Sequence, residues 1–587
     1  MTAIKQKIRI GDLLVQNKVI TEDQLQQALQ KQRSTGQRLG RTLISMGFME
    51  EERFLEFLSE QLQIPFVDLR RYKFDSSVVQ RLSETYARRY RAIALSEKKG
   101  ELLVGMADPT DIYAFDALER ILQQPIQLAV VRESELLMTM DLVYRRTDEI
   151  ASFAEELEGE ISDGQFDLAA LAPDPSDGDA PVIKMLQSIF LDAVQVRASD
   201  IHIEPDETVL RIRQRVDGVL QEQIVKERRI ASALVLRLKL MSGLDISEKR
   251  LPQDGRFSLK IKDHKIDVRL STMPVEYGES VVMRLLNQTE GVTKLTKVGM
   301  PDDVLSRFRR LIHMPHGLIL VTGPTGSGKT TTLYGALQEL NEVGKKIITV
   351  EDPVEYRLSR INQVQVNPKI DLTFARILRS ALRQDPDILL VGEIRDTETA
   401  EIALRAAMTG HLVLSTLHTN DAVSSAMRLV DMGAEGFLAA TAIKAVLAQR
   451  LVRRLCEYCC TDHDPDSRER AWIEKVASVK LAPETRLKQA SGCHRCNNTG
   501  YRGRIGVFEL LVINDDMADA LRSNDAGAFV KAALASKGYQ PLVVSAINEA
   551  LQGITSLEEV FIVAEQIDES GDWLMKGEEN QEVQKHA

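Results

Sequence analysis

The chain predicts an α/β protein. Three observations carry that reading. Short apolar segments alternate with amphipathic ones from Gly317 onward, a glycine-rich phosphate loop joins one such pair, and 587 residues at 44% apolar composition can fill several cores. Leu318–Thr322, Ile347–Val350, Ile388–Val391 and Leu412–Thr416 read as strands buried on both faces, the pattern of a parallel sheet covered by helices. No apolar run approaches the roughly 18 to 20 residues needed to cross a bilayer, and the residues after Met1 lead into no signal-peptide core, so a cytoplasmic location is expected.

Residues 1–147 form the first expected domain, mainly helical with short strands such as Leu102–Gly105. At an offset of 29 residues, segment 9–32 aligns with 38–61, pairing Arg9 with Arg38, Gly11 with Gly40, Leu14 with Leu43, Glu22 with Glu51, Leu29 with Leu58 and Gln32 with Gln61. Each unit reads as a helical hairpin whose leucines are core. The other repeated positions suit a ligand with two equivalent halves: a guanidinium stacks on a base or binds phosphate, a glycine admits a ligand to backbone N–H groups, and a glutamine reads a base edge. The pattern resembles the tandem Arg-Leu-Gly…Gln motifs of the cyclic di-GMP-binding N-terminal domain of MSHA-type pilus extension ATPases. The resemblance implies that Arg9, Ile10, Gly11 and Gln32, with Arg38, Leu39, Gly40 and Gln61, hold one cyclic di-GMP as an effector. Ile10 replaces the motif leucine, and Lys18 stands where the second unit has Gly47, which is expected to alter the turn between the helices.

Residues 148–179 hold eleven acids and no Lys or Arg, so the net charge of −11 belongs to this segment. With Pro173, Pro175, Ser176 and Gly178 at its end, 148–178 reads as an acidic flexible linker. The remainder is neutral overall, and no nucleic-acid partner is expected. Residues 179–290 alternate as strands at Ser199–Pro205, Val209–Val216 and Lys265–Thr272 around a helical Ile230–Met241, a small α/β domain.

Residues 291–567 carry the chemistry. Gly323, Pro324, Thr325, Gly326, Ser327, Gly328, Lys329 and Thr330 form a G-x-x-x-x-G-K-T loop between a strand and a helix that continues through Thr331, which is the context an ATP site requires. Lys329 is expected on the β/γ-phosphates and Thr330 on Mg²⁺. In Asp387–Arg395, Gly392 occupies the position where a metal-binding Asp is usual and Glu393 follows; Glu351, Asp352 and Glu355 are alternative acids. Thr416 and His418 end the next strand, where a γ-phosphate sensor would sit.

In order, these segments resemble the Walker A, Asp, atypical Walker B and His boxes of secretion ATPases. Ser199–Pro205 and Gly553–Val560 match as well, so the likeness covers about 180–566. It implies a RecA-like P-loop ATPase domain joined to a PAS-like small domain, in a homohexamer with nucleotide between the two. One or more of Arg213, Arg215, Arg256, Arg269 and Arg284 would stabilise transition-state charge. It also implies an inner-membrane platform protein as partner, with peripheral association to the inner membrane through it.

All five cysteines lie between 456 and 496, which favours a metal site over a disulfide framework. Cys456, Cys459, Cys493 and Cys496 form a CxxC…CxxC pair suited to structural Zn²⁺, with Arg453 and Arg454 expected to ease thiolate formation and Cys460 left over. Similarly spaced cysteines occur in extension ATPases of this family. Residues 568–587 read as a disordered tail. The function expected is ATP hydrolysis driving MSHA-type pilus extension under cyclic di-GMP control. Type II secretion is the close alternative. A nucleotide-sensing regulator without turnover is a third, kept open by the missing Walker B Asp.

Overall fold

The computed structural model describes residues 10–35, 39–70, 72, 74–98, 100–144, 147–162, 180–261, 263–289 and 291–568. They divide into two compact units, one formed mainly by residues before 146 and one mainly by those after it.

The repeat is visible in the first unit as two helix pairs. Helices Ile10–Gln16 and Leu39–Ser45 start 29 residues apart, as do Glu22–Thr35 and Glu51–Leu62. The second helix begins on a reciprocal cap, Thr21 N–H donating to Gln24 Oε1 and Gln24 N–H to Thr21 Oγ1. Leu14 and Leu43 are fully buried. A Cβ on Gly11 would lie 2.7 Å from Leu25, and one on Gly40 would collide with Phe54, the residue equivalent to Leu25. Both glycines therefore let these side chains pack closely against the first helix of each pair, whatever else they do. Lys18 does not alter the turn: its φ is +56°, against +71° at Gly47, and Val19 and Phe48 donate to Leu14 and Leu43 in the same way. The turn geometry is imposed by the hairpin, at a cost of roughly 1–2 kcal/mol for a lysine in the left-handed region.

After the hairpins, β1 (Ala92–Lys98), β2 (Glu101–Met106) and β3 (Ile126–Val130) form a three-stranded sheet, β1–β2 antiparallel and β2–β3 parallel across helix Ile112–Leu122.

Thr147–Ser162, expected as part of the flexible linker, is a helix. Ile150, Ala154 and Leu157 are fully buried in one core with helix Pro181–Gln195 and the following sheet. Their 3–4-residue spacing places an apolar stripe on an otherwise acidic helix, a pattern that net charge concealed. The rest of the expected linker, 163–178, lies outside the described residues, as does the expected tail 568–587 apart from Asp568, which ends helix Leu557–Asp568.

The small-domain sheet is antiparallel, in the order β6-β5-β4-β9-β8-β7. Its strands are β4 (Asp200–Pro205), β5 (Leu210–Val216), β6 (Val219–Val225), β7 (Gln253–Ile261), β8 (His264–Val275) and β9 (Gly278–Asn287). Helix Ala231–Met241 shares its core.

The large sheet comprises β10 (Gly317–Thr322), β11 (Ile347–Glu351), β12 (Asn362–Gln365), β13 (Ile388–Val391), β14 (Leu412–Leu417), β15 (Ile443–Leu455) and, after a separate two-stranded antiparallel sheet of β16 (Thr461–His463) and β17 (Leu487–Gln489), β18 (Tyr501–Val512). Its order is β12-β11-β13-β14-β10-β15-β18, parallel except for the antiparallel edge β18. Every residue of β10, β11, β13 and β14 is buried, as expected for strands covered on both faces. Among the described residues no helix is long and apolar enough to cross a membrane.

The buried stripe generates a prediction. Amides of Thr147–Ser162 should be protected from hydrogen exchange, and Leu157→Ala should reduce that protection by about 2–5 kcal/mol. Exchange at unstructured-chain rates in the wild-type protein would restore the linker reading.

Candidate functional site: a phosphate loop braced by its neighbouring strands

The phosphate loop lies at the C-terminal end of β10, where strand order reverses and open α/β sheets bind their ligands. Helix Lys329–Leu340 begins directly after Gly328 with no side-chain cap. The first N–H groups of such a helix lack intrahelical acceptors and point at whatever anion the loop encloses. Lys329 folds back, its Nζ 2.7 Å from Gly323 O and 3.0 Å from Pro324 O. Burial pushes its ammonium down to about 8, with Glu393 opposing the shift and Arg450 adding to it. Thr330 and Thr331 are exposed at the mouth. These residues fit a nucleotide triphosphate, with the Thr330 hydroxyl available to Mg²⁺.

Glu393 follows β13. One carboxylate oxygen is 2.5 Å from Arg395 Nη2 and the other 3.5 Å from His418 Nε2, so the segments after β13 and β14 converge beside Lys329. Burial and the cations Lys329 and Arg395 hold the His418 imidazole below its ordinary range, opposed by Glu393. Thr416 is otherwise engaged, its hydroxyl donating to Gly392 O at 2.6 Å. Gly392 packs closely on β11: a Cβ there would lie 3.0 Å from Val350 O.

The alternative acids sit differently. Glu351 is buried and accepts from Tyr334 Oη, from Thr349 Oγ1 at 2.5 Å and from Gln363 Nε2 at 3.2 Å. Glu355 forms an ion pair with Arg269 at 2.9 Å, and Arg269 also donates to Val354 O. Asp352 is exposed. Of the other arginines, Arg213 pairs with Glu204 at 2.6 Å and Arg215 donates to Gly218 O at 2.9 Å. Arg256 is exposed on β7, whereas Arg284 is 56% exposed and held by Asp200 at 3.1 Å.

Sequence reasoning missed the residues that brace the loop. Gln449 is buried on β15, donating to Ser327 O at 2.7 Å and accepting from Thr332 Oγ1 at 2.8 Å. Its neighbour Arg450, also buried, donates to Asn420 Oδ1 at 3.0 Å. The available signal was a polar pair inside the apolar run Ala445–Val452. Arg395, the partner of Glu393, was likewise not singled out.

The sulfurs of Cys456, Cys459, Cys493 and Cys496 lie within 4.8 Å of one another, and no disulfide joins them. Tetrahedral coordination with Zn–S bonds of about 2.3 Å requires S···S spacings near 3.8 Å, so this donor set fits Zn²⁺. Cys460 is not in the cluster. Arg453 and Arg454 are not available to the thiols as expected, because Arg453 pairs with Glu559 at 2.7 Å and Arg454 with Glu457 at 3.0 Å.

In the first unit a groove is lined by Gln32, Leu39, Gly40, Arg89, Arg91 and Asp111, among others. It brings together three of the expected ligand residues. Gly11 is buried in its hairpin, Gln61 is exposed away from this lining, and Arg9, Arg38 and the Ile10 side chain lie outside the described residues.

Comparison with known proteins follows the same division. Residues 175–562 match the family described as type II/IV secretion system protein, and residues 62–150 match the MshEN domain, which begins where the repeats end. The type IV pilus assembly ATPase PilB of Myxococcus xanthus is 40% identical over 563 residues, covering 94% of this chain and 98% of that protein. The type II secretion system ATPase E of Vibrio cholerae is 44% identical over 494 residues, covering 83% and 97%. A solved structure described as MshE with cdg is 40% identical over 24% of this chain and all of its own, with a TM-score of 0.23. With the family match spanning well over half of its length and a phosphate loop, Glu393 and His418 converging at one point, the chain belongs to the type II/IV secretion system ATPases.

Proposed function

We propose that the chain is a homohexameric motor that couples ATP hydrolysis to MSHA-type pilus extension, acts on an inner-membrane platform protein, and is regulated by cyclic di-GMP at its N-terminal hairpins. The observation that carries the MSHA-type pilus assignment is the MshEN match at 62–150, alongside a match nearly end to end to a pilus assembly ATPase. Type II secretion proteins that match at 44% over 494 residues and at 40% over 563 residues support type II secretion as the second reading.

At the site, Lys329 exchanges the carbonyls of Gly323 and Pro324 for β/γ-phosphate oxygens when ATP enters. Mg²⁺, held at Thr330, would supply charge neutralisation between those phosphates. Glu393 orients the attacking water, and His418 beside it reports on the γ-phosphate. Glu351, closed in by three donors, holds the strand end rather than water. Arg269, paired with Glu355 of its own chain, ties the small domain to the ATPase domain. Arg284, 56% exposed, is the arginine taken to act on a neighbouring protomer's nucleotide, with Arg256, also exposed, and Arg213 as further candidates.

Lys329→Ala should abolish ATP turnover, and Glu393→Gln should retain nucleotide while slowing hydrolysis by about tenfold or more, because a water-orienting carboxylate acts in the transition state. Steady-state ATPase assays check both; near-normal turnover of Glu393→Gln would move the role to Glu355. Mixing Arg284→Ala with Lys329→Ala protomers should restore some turnover, and no rescue would count against a shared site.

Metal analysis should find one zinc per chain. Cys460→Ser should keep it, whereas Cys493→Ser should lose it and loosen the surrounding fold, since structural zinc contributes on the order of 10 kcal/mol. A metal content well under one equivalent would remove zinc from the account.

One cyclic di-GMP should bind per chain, measured by calorimetry. A two-fold ligand held by two half-sites gains effective concentration, so Arg9→Ala, Gln32→Ala, Arg38→Ala and Gln61→Ala should each weaken binding by roughly 1–3 kcal/mol. No binding at micromolar ligand, or one ligand per repeat, would mean the duplication serves packing alone.

A further inference from the structure

Gln449 and Arg450 are consecutive on β15, so their side chains leave opposite faces of the sheet. Gln449 holds the phosphate loop through Ser327 O and Thr332. Arg450 holds Asn420, two residues beyond His418, on the segment that follows β14. Because β14 and β15 flank β10 on its two sides, this pair of residues spans the strand that carries the loop.

Packing alone does not account for Arg450. It is 3% exposed, and its Nε and Nη1 atoms are buried without a hydrogen-bond partner. Among the described residues it forms no ion pair, although Asp421 and Glu509 lie near enough to favour its charge. Burying a guanidinium in this way costs far more than burying a leucine of similar reach. A group so incompletely satisfied beside a reacting centre calls for a role beyond filling space.

We propose that Arg450 is a positioning residue for ATP hydrolysis, acting through Asn420 to hold the His418 segment in register with the phosphate loop braced by Gln449. Its hydrogen bond goes to Asn420, so its effect on the site passes through that residue. Its unpaired N–H groups give it spare donors with which to follow that segment when the site fills and empties.

The test uses the full chain, with steady-state ATP turnover resolved into kcat and KM for Arg450→Gln, Asn420→Ala and the double variant. Each single variant should lose about tenfold in kcat with KM for ATP changed less than about threefold, and the double variant should be no slower than the slower single, because both remove one interaction. Retention of kcat within about twofold by either single variant, a loss confined to KM, or multiplying losses in the double would each overturn the proposal. Should Arg450→Gln lose its melting transition, Asn420→Ala decides alone. Its side chain is only partly buried, and a kcat within about twofold of wild type would be sufficient to reject the role.

Discussion

A phosphate loop has few side chains with which to fix its own shape, and here the strand beside it does that work. A Cβ at Gly323 would collide with the Gln449 carbonyl, and Gln449's amide in turn holds Ser327 and Thr332. The loop is therefore moulded against β15, and β15 can lie there only because it pairs in parallel with β10 while its other edge is closed by β18. On the far side, β14 and β13 deliver His418 and Glu393 to the same point, with Thr416 Oγ1 fastening the turn at Gly392. A side chain at Gly392 would press on the backbone of β11, its Cβ 3.0 Å from Val350 O.

The same helix that cradles phosphate also reaches the small domain. Tyr334, five residues after Lys329, donates to Glu351 and accepts from Glu355 N–H at 3.3 Å. Glu355 pairs with Arg269 on β8. A continuous set of hydrogen bonds thus connects the nucleotide-facing helix to the sheet whose arginines are candidates for action between protomers. Arg269 belongs to this internal connection. A separate contact, Gly503 N–H to Asp217 Oδ2 at 2.7 Å, joins the small domain to β18.

Much of this was legible in the sequence where the code is local. The buried strands of the large sheet were readable as unbroken apolar runs, and the phosphate loop and paired CxxC turns are motifs whose spacing states their chemistry. The 29-residue repeat read over 9–32 and 38–61 corresponds to two helix pairs among the described residues. What escaped was information carried by context. The acids of 148–160 dominated composition and hid the stripe of Ile150, Ala154 and Leu157 that docks the helix. Lys18 suggested a different turn, yet hairpin packing overrode its preference. Glu351 and Glu393 look alike as residues at strand ends, and only the fold shows that one is enclosed by three donors while the other faces His418. Gln449 and Arg450 were visible as polar residues in an apolar strand, but their targets, Ser327 and Asn420, are far away in sequence.

The glycines of the repeats are explained by Leu25 and Phe54, which places the case for a nucleotide-dimer sensor on the arginines and glutamines. The most direct test of a motor governed by such a sensor is ATP turnover of the intact chain titrated with cyclic di-GMP. The account requires turnover to change and to saturate at one ligand per chain. Turnover that stays constant through concentrations at which the ligand is bound would contradict it.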